Sequence, residues 1–327
     1  MARTAIIGAG LAGLVVARGL QDAHDVTVFE KSRGTGGRMA TRYAEHLEFD
    51  HGAQFFTARS KAFRKYLFPL VSAGVVADWP ARFAEFQGSE LVSTRSWNES
   101  YAHYVGVPRM NAVGKWLARD LHVVLDTTVA SMSRREGRWT LYDSSNTLLG
   151  QFEWVVLTVP APQSAELAGL STALGSYAAA TQMQSCFALM LGMETPPDLQ
   201  WQAALVRDAD ISWISLNSSK PGRPATTTFV VHSTNAWADA HIDDPTAAVR
   251  SYMLEQFSSV TGIDVSRLAH IDLHRWRFAN LPRQDDPACL VDPDRNIAAC
   301  GDWFIRGRVE AAFSSAVALL KSIDDHL

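Results

Sequence analysis

The sequence is poor in the residues that mark disulfide scaffolds, metal sites and membrane proteins. Its three cysteines, Cys186, Cys289 and Cys300, are odd in number and form no C-x-x-C pair. They indicate neither a disulfide framework nor a zinc site and read as small, reduced core residues. The ten histidines are scattered without ligand spacing, so no metal is expected. The acidic pairs Asp243-Asp244 and Asp285-Asp286 each precede a proline, and turn chemistry explains them. No apolar run approaches the roughly 18 residues of a transmembrane helix, so no such helix is expected. No charged leader with an apolar stretch precedes the first strand, so the expected location is cytoplasmic. No block of like charge stands out and the formal net charge is −4, which argues against a nucleic-acid partner. Internal repeats and low-complexity segments are missing too.

What remains is an ordinary globular composition. The chain has 327 residues, enough for two domains, and 47% of them are hydrophobic. An apolar run over 4–7 ends in Gly8, residues 11–20 have the composition of a buried helix, and a β-branched run over 26–29 ends in Glu30. Strand, Gly-rich turn, helix and strand open a parallel sheet. The run 154–159 is nearly all apolar and predicts a central strand, within a strand-like stretch over 152–159. From 63 to 99 aromatic and polar residues mix, as in an excursion to a second domain. Strand-like runs at 187–191, 211–216 and 226–232, with a helix near 247–257, suit a mixed α+β domain. A short strand over 297–301 and a small-residue helix over 309–320 close the chain. The expected division is 1–62, 100–164 and 286–327 for a discontinuous nucleotide-binding domain, and 63–99 with 165–285 for a substrate domain. The ten tryptophans are unusual; most are expected to pack in the core, with one or two as candidates to line a flat aromatic cleft.

The chemistry begins at Gly8-Ala9-Gly10-Leu11-Ala12-Gly13. The first glycine permits the tight turn, the second lets backbone approach a pyrophosphate, and the third lets helix pack on strand. The helix N-terminus offers free N–H groups to the phosphates. Glu30, about 20 residues on, stands where a ribose hydroxyl needs an acceptor. After Glu30 and Lys31 come Gly36-Gly37-Arg38-Met39, a second glycine pair beside a guanidinium suited to a phosphate. This stretch resembles the second fingerprint of the FAD-dependent amine oxidase superfamily. Cys300-Gly301-Asp302-Trp303, followed by Val309-Glu310-Ala311, resembles that superfamily's closing fingerprint. The resemblance implies that Asp302 accepts from the ribityl hydroxyls and that the backbone of Val309, Glu310 and Ala311 faces the O2 edge of the flavin ring, where the helix dipole stabilises the reduced anion. It also implies an adenine contact from the backbone of Val129. The fold expected is therefore α/β, a Rossmann-type FAD-binding domain of the amine-oxidase kind joined to a mixed α+β substrate domain, with FAD held non-covalently.

Four further segments are similar to the renalase-like branch: Asp50-His51-Gly52-Ala53-Gln54-Phe55-Phe56-Thr57, Val107-Pro108-Arg109-Met110-Asn111, His274-Arg275-Trp276-Arg277-Phe278, and the Gly-Asp-Trp ending. That resemblance implies oxidation of 2- or 6-dihydro isomers of NAD(P) to NAD(P)+, with O2 taking the electrons as hydrogen peroxide. It places Ala53, Gln54, Phe55 and Phe56 beside the flavin. Hydride loss from a dihydropyridine yields an aromatic pyridinium directly, so stacking and orientation carry the catalysis and no general base is demanded. None is evident in the sequence.

Candidate substrate-side residues are Gln54, Trp213, Asn217 and Trp276. Trp213 and Asn217 would present a ring and an amide to a nicotinamide; a packed Trp and a turn Asn are the alternative. His232 reads as a core or surface histidine, and Lys220-Pro221-Gly222-Arg223 as a solvated turn, with a substrate pyrophosphate its other possible partner. Two other functions stay open: an FAD-dependent amine oxidase or desaturase on another small substrate, and a non-catalytic binding protein on the same superfold, as in Rab GDP-dissociation inhibitors. The isomer, NAD against NADP, and the oligomeric state are not legible.

Overall fold

In the computed structural model, residues 1–97, 101–285 and 287–324 are described; Asp286 of the second acidic pair, and the expected division points at 99/100 and 285/286, lie outside them in whole or part. A six-stranded sheet runs in the order Leu290–Asp292, Ile297–Ala299, Trp154–Leu157, Ala2–Ile7, His24–Phe29, His122–Val124, with every pairing parallel except the first. Trp154–Leu157 is central, between Ala2–Ile7 and Ile297–Ala299, and buried throughout, as the apolar run predicts. The expected strand over 152–159 divides at Glu153: Phe152 ends a separate strand, Leu148–Phe152, in a three-stranded antiparallel sheet. The helix Leu11–Leu20 is buried on almost every side, and the C-terminal helix Val309–Asp324 packs on it with Leu320 against Gly19.

The second sheet has seven strands, ordered Leu268–Asn280, Gln184–Met193, Thr227–Ser233, Ile211–Leu216, Ala203–Arg207, Arg82–Gln87, Glu90–Ser96. The period of two divides its faces. Phe187, Leu189, Leu191, Ile214, Phe229 and Val231 pack beneath the helix Thr246–Thr261, on Val249, Met253, Phe257 and Val260. The opposite face carries Trp213, His232, His274 and Trp276. The register puts His274, Ala188, His232 and Trp213 in one cross-strand row.

Two parts of this arrangement were not expected. The helix Lys61–Ser72, read as part of the excursion, buries Phe63, Leu67 and Leu70 in the same core as the first helix and Phe313. Leu268–Asn280 is a 13-residue strand of half-buried residues, without the clean alternation that reveals a strand. Among the described residues, no helix is long and apolar enough to cross a membrane, and no group of three or more metal-ligating side chains is assembled.

Candidate active site

The nucleotide cradle follows from the glycines. Gly8 turns with φ +108°, and a Cβ on Gly13 would lie 2.0 Å from the Gly8 carbonyl oxygen, so only glycine packs there. A Cβ on Gly10 would meet no atom within 4 Å: this glycine faces open space, as a backbone that must be approached by a pyrophosphate should. Gly36 N donates to Ala9 O (2.8 Å), which lays the second fingerprint against the first. The Glu30 carboxylate accepts from Ala9 N (2.8 Å) and Ser32 N (2.9 Å), and Thr127 N reaches Glu30 O (2.9 Å), bringing Val129 to the same end. Leu11, Ala12 and Met39 are buried beneath this cradle, and Lys31 is exposed beside it. The open backbone, the free helix N-terminus and the acidic turn fit an adenine dinucleotide.

Arg38 departs from expectation. Its guanidinium does not stand free for a phosphate. It forks onto both oxygens of Asp302, at 2.9 Å for the Nη1–Oδ2 contact, and onto Ala279 O (2.9 Å). A planar fork matches a carboxylate as well as a phosphate, and here it ties the second fingerprint to the closing one. Glu310, in the first turn of the C-terminal helix, accepts from Arg59 N (2.8 Å) and Ser60 N (2.7 Å). Burial alone would raise its pKa; these donors and Arg306 hold it below the ordinary value.

Residues 48–57 run across the open face of the second sheet. Phe49 stacks on His270 (5.4 Å) and His51 on Trp276 (5.1 Å), while Phe55 meets Trp213 (5.5 Å), Trp97 (4.7 Å) and His103 (5.1 Å). His232 Nε2 donates to His51 O (3.3 Å) and Trp276 Nε1 to the same carbonyl (2.9 Å). Arg42 Nη2 donates to His274 Nδ1 (3.2 Å), which requires a neutral acceptor ring. Burial pushes all three imidazoles down, His51 to about 3 and His232 and His274 to about 4, with neighbouring cations and rings adding to it. At neutral pH these three imidazoles are uncharged.

Of the four substrate-side candidates, two are committed to the protein. Gln54 is 6% exposed; its Nε2 donates to the carbonyls of Asp50 and Gly52, and its Oε1 accepts from Ser215 Oγ (2.7 Å) and Lys220 Nζ (3.2 Å). Asn217 is 1% exposed; its Nδ2 donates to Glu48 O (2.9 Å) and its Oδ1 accepts from Lys220 Nζ (3.0 Å) and Asp50 N (3.3 Å). Neither amide has a free end for a nicotinamide, so the expected roles are corrected to positioning ones. Trp213 and Trp276 are half-buried and stay on the wall; the Trp213 Nε1 is buried and has no hydrogen-bond partner among the described residues.

The basic turn is the larger correction. Lys220 and Arg223 are not solvated: their side chains are 0% and 1% exposed, and both reach Asp50, itself fully buried. Asp50 also accepts from Thr41 Oγ1 (2.8 Å) and Met110 N (3.0 Å). Burial works against its charge, but Lys220 and Arg223 hold the carboxyl below its usual range. Burial drives Lys220 down to about 8 despite Asp50, helped by repulsion from Arg223. The sequence displays Asp50 and Lys220 but offers no sign that a turn lysine 170 residues away folds inward to meet it.

Comparison with known proteins accords with this geometry. Residues 6–68 match the NAD(P)-binding Rossmann-like domain, and residues 72–318 match the flavin containing amine oxidoreductase family. The chain belongs to that family and is a flavin-dependent oxidoreductase. Within it, the chain is similar to renalase of Mus musculus, 22% identical over 353 residues and the full length of both chains. Solved structures share the fold at low identity. One from Exiguobacterium sp. 255-15, provisionally named a protoporphyrinogen oxidase, superposes with a TM-score of 0.79 at 12% identity, covering 100% of this chain and 99% of that one. Cyclohexylamine oxidase from Brevibacterium oxydans gives 0.68 at 13% identity, covering 99% of each.

Proposed function

We propose that the protein is an FAD-dependent oxidase of isomeric dihydronicotinamide dinucleotides, taking hydride from 2- or 6-dihydro-NAD(P) and releasing NAD(P)+. The bound flavin supplies the hydride acceptor and, on reoxidation by O2, the route to hydrogen peroxide. The observation that carries the reading is the charge state of the substrate wall. His51, His232 and His274 are held neutral, and four carboxylates around the wall are paired with cations: Asp50 with Lys220 and Arg223, Asp302 with Arg38, Glu48 with Arg109 and Asp272 with Arg42. Asp78, beside His103, accepts the His103 backbone N–H. A cationic amine meets neutral rings on most of this wall. A flat, neutral dihydropyridine finds Phe55, Trp213 and Trp276.

In this reading residues 1–62, 100–164 and 286–327 hold FAD, with the helix Lys61–Ser72 counted beside them, and 165–285 with the strands from Arg82 onward present the substrate. Glu30 takes the adenosine ribose, Val129 the adenine, Gly10 and the first helix the pyrophosphate, and Ala53 to Phe56 with Val309 to Ala311 border the ring. The flavin is non-covalent: Cys186 and Cys300 are buried, with their thiols pushed up by burial, Cys186 to about 12. Acid precipitation should leave the flavin in the supernatant. The deciding test is anaerobic stopped-flow absorbance with 2-dihydro-NAD, 6-dihydro-NAD and a panel of amines. Rapid bleaching of the flavin by a dihydro isomer is expected, and bleaching by an amine alone would move the protein to the amine oxidases proper.

A further inference from the structure

Three arginines stand together before the C-terminal helix, and among the described residues no acidic group neutralises their side chains. Arg306 and Arg308 flank Gly307, with Arg308 N donating to Arg306 O (2.7 Å). Arg59 arrives at the end of the cross-sheet segment, its backbone N–H on Glu310. Among the described residues none of the three guanidiniums forms an ion pair or a side-chain hydrogen bond. They lie close enough to repel: Arg308 is held below its ordinary pKa by partial burial, then by Arg306 and Arg59. Glu310 sits among them, but its one negative charge is set against three positive ones and both its oxygens are occupied by backbone amides. The turn is not a loose loop. A Cβ on Gly307 would lie 2.3 Å from the Asn280 Cβ, so the glycine is pressed onto the end of the long strand.

Like charges fixed together, with no ion-pair partner among the described residues, favour an anion in their midst. The cluster adjoins the substrate wall. The Arg59 guanidinium lies over Tyr101 (5.7 Å to the ring centroid), and His103, two residues on, packs on Phe55 and Trp97. The cofactor's own pyrophosphate has its place at Gly10, at the end of Ala2–Ile7, which is two strands away in the sheet from the Ile297–Ala299 strand that leads to the arginines.

Resting on the function proposed above, we propose that Arg59, Arg306 and Arg308 form the subsite for the pyrophosphate of the dinucleotide substrate, its nicotinamide lying against Phe55 and Trp213. The test compares three donors in anaerobic flavin reduction: the dihydro dinucleotide, the corresponding mononucleotide with one phosphate, and the riboside with none. NAD+ is titrated in parallel by its perturbation of the flavin spectrum. For the wild-type holoenzyme the dinucleotide should bind roughly 10- to 100-fold tighter than the riboside, with the advantage shrinking as salt is raised. In the combined variant Arg59→Ala, Arg306→Ala, Arg308→Ala the ratio should fall toward one, and NAD+ affinity should weaken with it. Equal wild-type affinities at low salt, or an undiminished ratio in the variant, would overturn the subsite and leave the oxidase reading standing. Failure of every dihydronicotinamide to reduce the flavin would remove the oxidase reading itself. The wild-type salt series decides even if the variant does not fold.

Discussion

Removing the Lys220 ammonium should stabilise the protein at neutral pH, although it deletes a partner from a buried ion pair. Asp50, Lys220 and Arg223 place one negative and two positive charges in the interior. A fall of the lysine from 10.5 to about 8 means that the charged form is disfavoured in the folded state by about 3 kcal/mol relative to water. Lys220→Met keeps the aliphatic volume and removes that cost. No acceptor is orphaned: Gln54 Oε1 keeps Ser215, Asn217 Oδ1 keeps the Asp50 N–H, and Asp50 keeps Arg223, Thr41 and Met110. Asp50→Asn is the opposite case, leaving two buried cations without an anion, at a cost of about 3–5 kcal/mol. Chemical denaturation of the two variants and the wild type between pH 6 and 10.5 checks this. Between about 8 and 10.5 the unfolded chain binds a proton that the folded chain has released, so wild-type stability rises with pH across that window. The Lys220→Met advantage should therefore be greatest below pH 8 and shrink toward zero by 10.5. A Lys220→Met variant several kcal/mol less stable than wild type at pH 7, with no pH dependence, would refute the reasoning.

Gly10→Ala should fold normally and retain less flavin, because a Cβ there meets no protein atom, whereas Gly13→Ala should lose flavin and melting temperature together, its Cβ falling 2.0 Å from the Gly8 oxygen. The flavin-to-protein absorbance ratio and thermal melts of the two apoproteins separate these outcomes. Trp213→Ala should raise the dissociation constant for the dihydro substrate roughly tenfold or more by deleting a large part of the aromatic wall, while Trp213→Phe, which keeps a ring but loses the N–H, should fall between; anaerobic titrations of both report it. His51, His232 and His274 refuse protons in the fold that they accept when unfolded, so stability should drop as pH falls from 6.5 toward about 4, and His274→Gln should blunt that drop in acid denaturation curves.

The parts of the fold that were legible in the sequence are those where a local rule suffices. The Gly8–Gly13 turn, the helix Leu11–Leu20 and the buried strand Trp154–Leu157 each follow from steric demands met within a few residues. The long strand Leu268–Asn280 escaped because one face meets histidines and tryptophan while the other is only half covered, which erases the period of two. Gln54 and Asn217 were singled out as substrate contacts, but an amide's partners depend on what folds against it, and here both are bound up with Lys220 and Asp50. Lys220 was misread for the same reason: a Lys-Pro-Gly-Arg tetrapeptide has the composition of a surface turn, and only the distant Asp50 makes its burial tolerable.

The segment 48–57 gives these observations a common consequence. Its Asp50 anchors Lys220 and Arg223, its Gly52 is pressed against the Arg38 backbone, where a Cβ would lie 2.0 Å from the Arg38 oxygen, and its Phe55 is part of the aromatic wall. Arg38 in turn holds Asp302. The glycine-rich cradle and the aromatic wall are thus joined through one run of backbone, with few alternatives for its placement. A substitution that shifts this run, such as Gly52→Ala, cannot loosen one side alone: it should lower flavin retention and substrate affinity together. Trp213→Ala, on the far side of the wall, should lower substrate affinity and leave flavin retention intact. Measuring both quantities on both variants tests the coupling, and a Gly52→Ala enzyme that kept its flavin but lost its substrate would show that the two sites are held independently.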